Sequence, residues 1–353
     1  MKSSVLNDDI STAAAALAER LLGSRVLSFE PARPGGNNRV YKAETSDDAY
    51  AVKIYPDHAA GAHDRLGAEF SACEFLDERG EKSIPRPVAC DPVERIGIYQ
   101  WINGSAVSEP EPTDVDAALE FVTRLRRYSE TSSATDIGHA AEACLSAAEL
   151  VRQVKNRFKR LSEVCDAHRE LEDFIHARAL PFVDASAARA RRGYMAADLP
   201  FDDDISLQCS SLSPSDFGFH NSLRRADGAI VFIDFEYFGW DDPVRLVADF
   251  LLHPGMNLSD KNCTMFSQGA LDVFGGSLRG DGDFPMRFDL LYPLVGARWC
   301  AILLNEFLPE RWQRRVFANP DLDRETAQHN QLEKARRMLA RVEGSLEGFA
   351  HDT

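Results

Sequence analysis

Apolar and polar positions alternate with a period of two in the first third of the chain, and recur at helical spacing through most of the remainder. In Ala49–Tyr55, Tyr50, Val52 and Ile54 point one way and Ala51, Lys53 and Tyr55 the other. That pattern predicts a strand with one packed face and one face carrying a lysine. Arg25–Glu30 and Arg39–Glu44 are further strand-like runs, joined by Pro34-Gly35-Gly36-Asn37-Asn38, a turn rich in residues that tolerate positive φ. A helix is predicted from His63 to Arg79, with Leu66, Phe70, Cys73 and Leu76 near helical spacing and Gly80 just past its end. Pro85 and Pro87 break the chain before Pro92–Ile102, in which Ile96–Ile102 reads as a strand.

Asn103-Gly104-Ser105 and Glu109-Pro110-Glu111-Pro112 mark a boundary. We therefore expect an N-terminal lobe over residues 1–102 and a C-terminal lobe over 103–353. Beyond the boundary Val115–Tyr128, Ala140–Val164 and His168–Arg192 read as long helices, with Pro181 as the one interruption. Two short strand-like pieces, Leu212–Leu223 and Ile230–Phe235, flank a turn at Ala226-Asp227-Gly228, and helices resume from about Pro243. The alanine-rich start carries Asp8 and Asp9 where a signal peptide would be basic, so it reads as an amphipathic first helix.

Composition narrows the class. The 353 residues are 44% hydrophobic and 27% charged, which is ordinary globular material. Lys plus Arg number 40 against 56 Asp plus Glu, a formal net charge of −16. Such a surface lacks the positive face a general nucleic-acid binder needs and is repelled by anionic membranes. It mildly favours a cationic partner. No run approaches the roughly 18 apolar residues that span a bilayer. The seven cysteines are scattered without a C-x-x-C pair, so free buried thiols in a reducing cytoplasm are expected.

The hairpin Leu212–Glu236 carries the densest chemistry. Asp216 and Asn221 lie five positions apart across a glycine-containing loop, and Asp234 ends the apolar run Ile230–Ile233. A hairpin can gather these side chains at one end. Asn221 and Asp234 offer hard oxygen ligands that suit Mg²⁺, and Asp216 is left to orient or deprotonate an attacking hydroxyl. With a lysine elsewhere for phosphate, this is the set of parts for phosphoryl transfer.

Here the chain resembles the aminoglycoside phosphotransferase and choline kinase superfamily. The motif H-G-D-x-x-x-x-N, followed by an apolar residue and D-[FW]-E, is similar to Ser213–Asn221 and Ile233–Glu236. Gly35, Gly36 and Asn38 fall in a segment that resembles the nucleotide-covering loop, and Ala51-Val52-Lys53 resembles the strand with the phosphate-binding lysine. Glu69 is placed like the helix glutamate that pairs with that lysine, and Gln100–Gly104 resembles the hinge, where Gln100 and Ile102 would meet adenine. Asp242-Pro243 also matches. The resemblance covers roughly residues 25 to 255, and its specificity lies in the order of the motifs. It implies an α+β, two-lobed, protein-kinase-like fold and ATP- and Mg²⁺-dependent transfer of the γ-phosphate to a small polar molecule's hydroxyl. An aminoglycoside, amino sugar or choline-like amine is compatible.

Two departures stand out. The family's His-Gly before the catalytic aspartate is Pro214-Ser215 here, and Leu246 stands where a further aspartate is usual, with Asp249 later. The first motivates an alternative, a catalytically weak or inactive pseudokinase-like nucleotide-binding regulator. A metal-dependent hydrolase would use the same acids but leaves the N-terminal features unexplained. Glu236, Asp241 and Asp242 read either as attractors of a cationic substrate or as solvated or capping residues. His220 reads as a loop residue. The oligomeric state is not legible.

Overall fold

The computed structural model describes residues 2–32, 38–56, 63–276, 281–318 and 323–349. Helix α1 (Lys2–Leu22) is followed by β1 (Ser28–Pro31), β2 (Arg39–Glu44) and β3 (Ala49–Ile54), then α2 (Arg65–Asp77), β4 (Pro87–Asp91) and β5 (Ile96–Gln100). The strands form one antiparallel sheet in the order β1-β2-β3-β5-β4. The alternation read from β3 is realised in space. Val52, with Tyr41, Ala43, Ile96 and Ile98, packs against Ala14 and Ala18 of α1, and Tyr50 and Ile54 join that face. Lys53 faces the other way, toward α2.

Helix α2 starts at Asp64, whose side chain accepts from the Gly67 N–H, and stops where Gly80 adopts φ 75°. Opposite Lys53 in the β3–β5 register stands Gly97. A Cβ there would lie 2.8 Å from the Tyr99 ring and 3.1 Å from Leu66 Cδ1, so only glycine lets the sheet approach α2 this closely.

Strand β6 (Gly104–Ala106) leads into α3 (Pro112–Ser129) and α4 (Ala147–Ser162). The region read as one helix through Arg192 is α5 (Arg169–Phe174), a π-turn over Ile175–Ala179, and α6 (Leu180–Ala196). Pro181 lacks the N–H that would continue the ladder, and the wider turn immediately before it accommodates the loss. Strand β7 (Ser211–Ser213) precedes the hairpin of β8 (Ser222–Arg225) and β9 (Ile230–Phe232), and β6 adds to β8 to make a three-stranded sheet. The predicted strand Leu212–Leu223 is therefore two strands interrupted by a loop. After β10 (Gly239–Asp241) come α7 (Pro243–Leu252), α8 (Asp260–Gly275), α9 (Phe284–Leu303), α10 (Pro309–Ala318) and α11 (Arg324–Phe349).

Packing divides the chain into two compact units. One comprises residues 1–121, 135–141 and 214–239, so the β8–β9 hairpin belongs to the unit of the first sheet, where the Phe232 N–H donates at 2.8 Å to the Ser83 carbonyl in the connection between α2 and β4. Phe121 stacks on Phe217 and Phe232 and meets Phe235 edge-on, which anchors the hairpin in that unit's core. The other unit, 122–134, 142–213 and 240–353, is mainly helical. Its centre is α9, buried on nearly every side from Leu290 to Leu303. Among the described residues no helix is long and apolar enough to cross a membrane.

Candidate active site

Lys53 is 7% exposed and its Nζ donates to Glu69 Oε2 at 2.5 Å and to Asp234 Oδ1. The sheet supplies the lysine, α2 the glutamate and the end of the hairpin the aspartate. Tyr55, two residues on and on the lysine's face, donates its hydroxyl to the same Glu69 oxygen at 2.7 Å and lies 2.8 Å from the Tyr99 hydroxyl. Burial works against the lysine's charge, but Glu69, then Asp234 and Glu236, overcome it and hold the ammonium above the usual lysine range. Burial likewise pushes the Glu69 carboxyl up, to about 6, because the one ammonium it contacts is shared with Asp234.

Asp234 has φ 71°, in the left-handed region that an L-residue adopts at some cost. Its side chain is 33% exposed, which leaves the carboxylate partly open beside the buried lysine. Glu236, two residues on, is buried: it accepts from Asn38 Nδ2 at 2.6 Å and pairs with Arg65 Nη1 at 3.4 Å. Its backbone carbonyl accepts from His63 Nε2 at 2.7 Å. One oxygen from each of Glu69, Asp234 and Glu236 lies within 4.8 Å of the others.

The loop before β8 gathers the remaining polar groups. The Asp216 N–H donates to the Pro214 carbonyl at 2.8 Å across Ser215, whose φ is 65°, giving a tight three-residue turn. Phe217 and Phe219 are buried, so Asp216 and His220 are carried to the outside of the loop. Asn221 Nδ2 donates to the Asp216 carbonyl and to its Oδ2, at 3.0 and 3.1 Å. His220 Nε2 lies 3.0 Å from Asp216 Oδ1. The Ile233 N–H donates to the Asn221 carbonyl at 2.9 Å, which extends the hairpin ladder by one pair, with Asp234 the next residue along the return strand.

Comparison with known proteins decides the family. A profile described as the phosphotransferase enzyme family matches residues 28–261. The chain belongs to the phosphotransferase enzyme family. No curated protein matches it at the level of sequence. Its fold is similar to that of choline kinase LicA from Streptococcus pneumoniae, at 17% identity and TM-score 0.56 over 95% of this chain and 99% of that one. Spectinomycin phosphotransferase APH(9)-Ia, solved with AMP, is similar at 15% identity and TM-score 0.59, covering 90% and 97%. Choline kinase from Cryptosporidium parvum Iowa II follows at 10% identity and TM-score 0.55, covering 90% and 91%. The expected α+β, protein-kinase-like fold and the phosphotransferase class are thus established.

Within this phosphotransferase, Lys53, Glu69 and Asp234 come together, as do Asp216 and Asn221. Ala51 lies on the lysine's face of β3, opposite Tyr99 in the register. Gly35 and Gly36 lie outside the described residues; Asn38, at the end of that segment, is tied to Glu236. In the hinge the Gln100 side chain is exposed, its N–H donates to the Arg86 carbonyl at 2.8 Å, and the Trp101 N–H donates to the Ala49 carbonyl at 3.2 Å. Those two backbone donors are already paired within the protein.

Tyr55, Arg65, His63 and the pairing of His220 with Asp216 escape the sequence reading. Tyr55 had a usable signal, sharing the strand face of Lys53. The others are joined by folding across long separations or by loop geometry. Asp241 and Asp242 do not present charge to a substrate. Both are buried; Asp242 caps α7 and pairs with Arg287, and Asp241 pairs with Arg245 at 2.8 Å. Glu236 is equally committed, so none of the three supplies an open anionic surface. Trp240 is also core, donating its indole N–H to the Ala134 carbonyl.

Proposed function

We propose that the protein transfers the γ-phosphate of ATP, with Mg²⁺, to a hydroxyl of a small polar molecule. The observation that carries this reading is the buried Lys53, bonded at once to Glu69 and to the partly open Asp234. Three carboxylates crowd this point against Lys53 and Arg65, so a further cation fits the local charge. The donor set suits Mg²⁺: Asp234 offers carboxylate oxygen, and Asn221, its amide nitrogen turned to Asp216, offers its amide oxygen. Held there, Mg²⁺ would neutralise charge on the transferred phosphate's oxygens.

The chain's own groups have separable tasks. Lys53, oriented by Glu69, would bind α- and β-phosphate oxygens. Gln100, Ile102 and the neighbouring hinge backbone would receive adenine. Gly35 and Gly36 would cover the phosphates, with Asn38 fixing the end of that segment. Asp216 would hold the acceptor hydroxyl in line and accept its proton as the new P–O bond forms and ADP departs. Most of the acceleration would come from positioning and charge neutralisation. The functional division is an N-terminal nucleotide lobe, 1–102, and a C-terminal substrate lobe, 103–353.

The similarity to choline kinases and a spectinomycin phosphotransferase supports a small hydroxylated acceptor. The net charge of −16 favours a cationic one, but Glu236, Asp241 and Asp242 do not provide its site.

Calorimetry with ATP, in Mg²⁺ and in EDTA, tests the reading. Mg²⁺-dependent binding that weakens at least tenfold in Asp234→Asn is expected. No binding at millimolar ATP would overturn it. Binding with no ADP formed from ATP when choline, ethanolamine, spectinomycin, gentamicin or water is the acceptor would favour the nucleotide-binding regulator.

A further inference from the structure

The catalytic loop holds one titratable side chain to which the proposed chemistry assigns no task. His220 lies four residues after Asp216, with its side chain 15% exposed, and its Nε2 is 3.0 Å from Asp216 Oδ1. On the other carboxylate oxygen, Asn221 Nδ2 donates to Oδ2 at 3.1 Å. A carboxylate only accepts hydrogen bonds, so the nitrogen that His220 turns toward it carries the hydrogen. Asp216 is therefore gripped at both oxygens, from two consecutive residues of its own loop.

The local fold explains how this grip arises. The buried rings of Phe217 and Phe219 fix the loop from below, and the short helical turn Phe219–Asn221 lifts His220 and Asn221 back over Asp216. The turn is pinned further by the Asn221 N–H donating to the Gly218 carbonyl at 3.1 Å and the Ser222 hydroxyl donating to the Phe219 carbonyl at 2.9 Å. A side chain at residue 216 has two rotatable bonds, and a base must hold its acceptor within a few tenths of an ångström of the line of attack. One donor fixes where the carboxylate is. Two donors on different oxygens also fix the plane in which it lies.

We propose that His220 is a positioning residue for Asp216, setting the carboxylate plane so that a remaining lone pair faces the acceptor hydroxyl. This rests on the reading of Asp216 as the group that receives the hydroxyl proton. His220 does not itself touch substrate, so it acts on turnover and leaves nucleotide affinity alone. The same contact places the ring hydrogen on Nε2, and a glutamine amide can offer a donor at nearly the same distance along its side chain.

The test compares His220→Leu, which removes the donor, with His220→Gln, which keeps one, alongside Asp216→Asn and wild type. ADP formation is followed with water as acceptor and, in parallel, with choline, ethanolamine and spectinomycin. A hydrogen bond to a charged group corresponds to a loss of about tenfold to a hundredfold. His220→Leu is expected to lose that factor in kcat with KM for ATP unchanged, and His220→Gln to return within about threefold of wild type. Wild-type kcat in His220→Leu, equal losses in both variants, or a loss confined to KM for ATP would overturn the assignment. Failure of the underlying reading is distinguishable: Asp216→Asn would then turn over like wild type, or wild type would form no ADP, whatever His220 does.

Discussion

Two buried clusters of charge sit in this chain, one in each compact unit, and they are built on opposite plans. In the helical unit, Arg245 donates to Asp241 at 2.8 Å and to Asp249 at 3.2 Å, Arg298 reaches Glu142 at 3.0 Å, and Trp299 donates to Asp249 at 2.8 Å. Nearby, Arg287 pairs with Asp242 and with Asp281. Each carboxylate has a guanidinium, whose planar fork suits bidentate pairing and does not give up its proton. In the sheet unit a single ammonium, Lys53, is shared by Glu69 and Asp234, and one acid stays partly open. In the first arrangement rigid guanidinium forks bridge pairs of acids and tie α7 to α9. The second turns on one flexible ammonium, with Asp234 left partly open beside it. Burial alone does not distinguish the two; the kind of cation, and whether a carboxylate beside it stays open, does.

The largest test of that contrast removes the central cation from each cluster. Arg245→Leu leaves Asp241 and Asp249 buried with their main partner gone, at a cost of about 3–5 kcal/mol. Thermal unfolding should fall by on the order of 10 °C. Lys53→Met should cost less than half as much, because Glu69 is already pushed up to about 6 and takes up a proton readily when its cation leaves. Equal losses in the two variants would erase the distinction. Loss of Mg·ATP binding in Lys53→Met but not in a still-folded Arg245→Lys would strengthen it.

Asp216 probes the open side of the comparison. Its side chain is 37% exposed and asparagine keeps its size, so Asp216→Asn should melt within a few degrees of wild type. Mg·ATP affinity should also hold, while turnover falls at least about a hundredfold, roughly 2.7 kcal/mol in the barrier. Calorimetry and ADP formation on one preparation separate the two effects. Near wild-type turnover would remove Asp216 from the chemistry.

The difference between the clusters was only partly legible in the sequence. Lys53, Glu69, Asp216, Asn221 and Asp234 could be named because each sits in a short pattern and the patterns occur in a fixed order. Strand β2 was bounded correctly at Arg39–Glu44 because its alternation is clean. Pro85 and Pro87 read as breakers in the sequence and conceal strand β4, yet Pro87 opens an edge strand, where a missing N–H is harmless. Arginines were harder. Arg245 and Arg287 look like surface residues in a one-dimensional pattern, and only the fold reveals that each is buried against acids up to 45 positions away. The Asn38–Glu236 bond spans 198 positions and left no local trace. A resemblance points to the residues proposed for chemistry, whereas the charges that hold the frame emerge only with tertiary contact.

Acid should act on the two clusters differently, and Glu69 reports the difference. Its folded carboxyl titrates near 6 against 4.5 ordinarily. As pH rises from 4.5 to 6 the unfolded chain has released this proton and the folded chain still keeps it. Stability should therefore fall across that window by about 2 kcal/mol and stay level for this group above it. Glu69→Gln removes the effect, so the wild-type-minus-variant difference in denaturant midpoints isolates it from other acids. Function runs the other way: below about pH 6 the neutral Glu69 releases its hold on Lys53, and kcat/KM for ATP should drop in wild type with a midpoint near 6. Glu69→Gln should show a lower, flat rate there. An acid limb of the same midpoint in the variant would assign it elsewhere.

The smallest expected effect concerns the backbone that aims the open site. Ser215 holds φ 65° where the family pattern has glycine, and the left-handed region costs an L-residue about 1–2 kcal/mol. Part of that is returned by its hydroxyl, which donates to the Tyr237 carbonyl at 3.3 Å. Ser215→Gly relieves the steric cost but adds chain entropy on unfolding and loses the hydroxyl, so the net change should lie between zero and about 1 kcal/mol of added stability. Ser215→Ala keeps the strain and loses the hydrogen bond, and should fall below wild type by about 1 kcal/mol. The order glycine, serine, alanine in denaturant midpoint is therefore expected, with turnover in Ser215→Gly close to wild type because Asp216 keeps its grip from His220 and Asn221. If glycine proved the least stable of the three, the hydroxyl rather than the φ angle would be what sustains this turn, and the departure from the family pattern would be a replacement of one support by another.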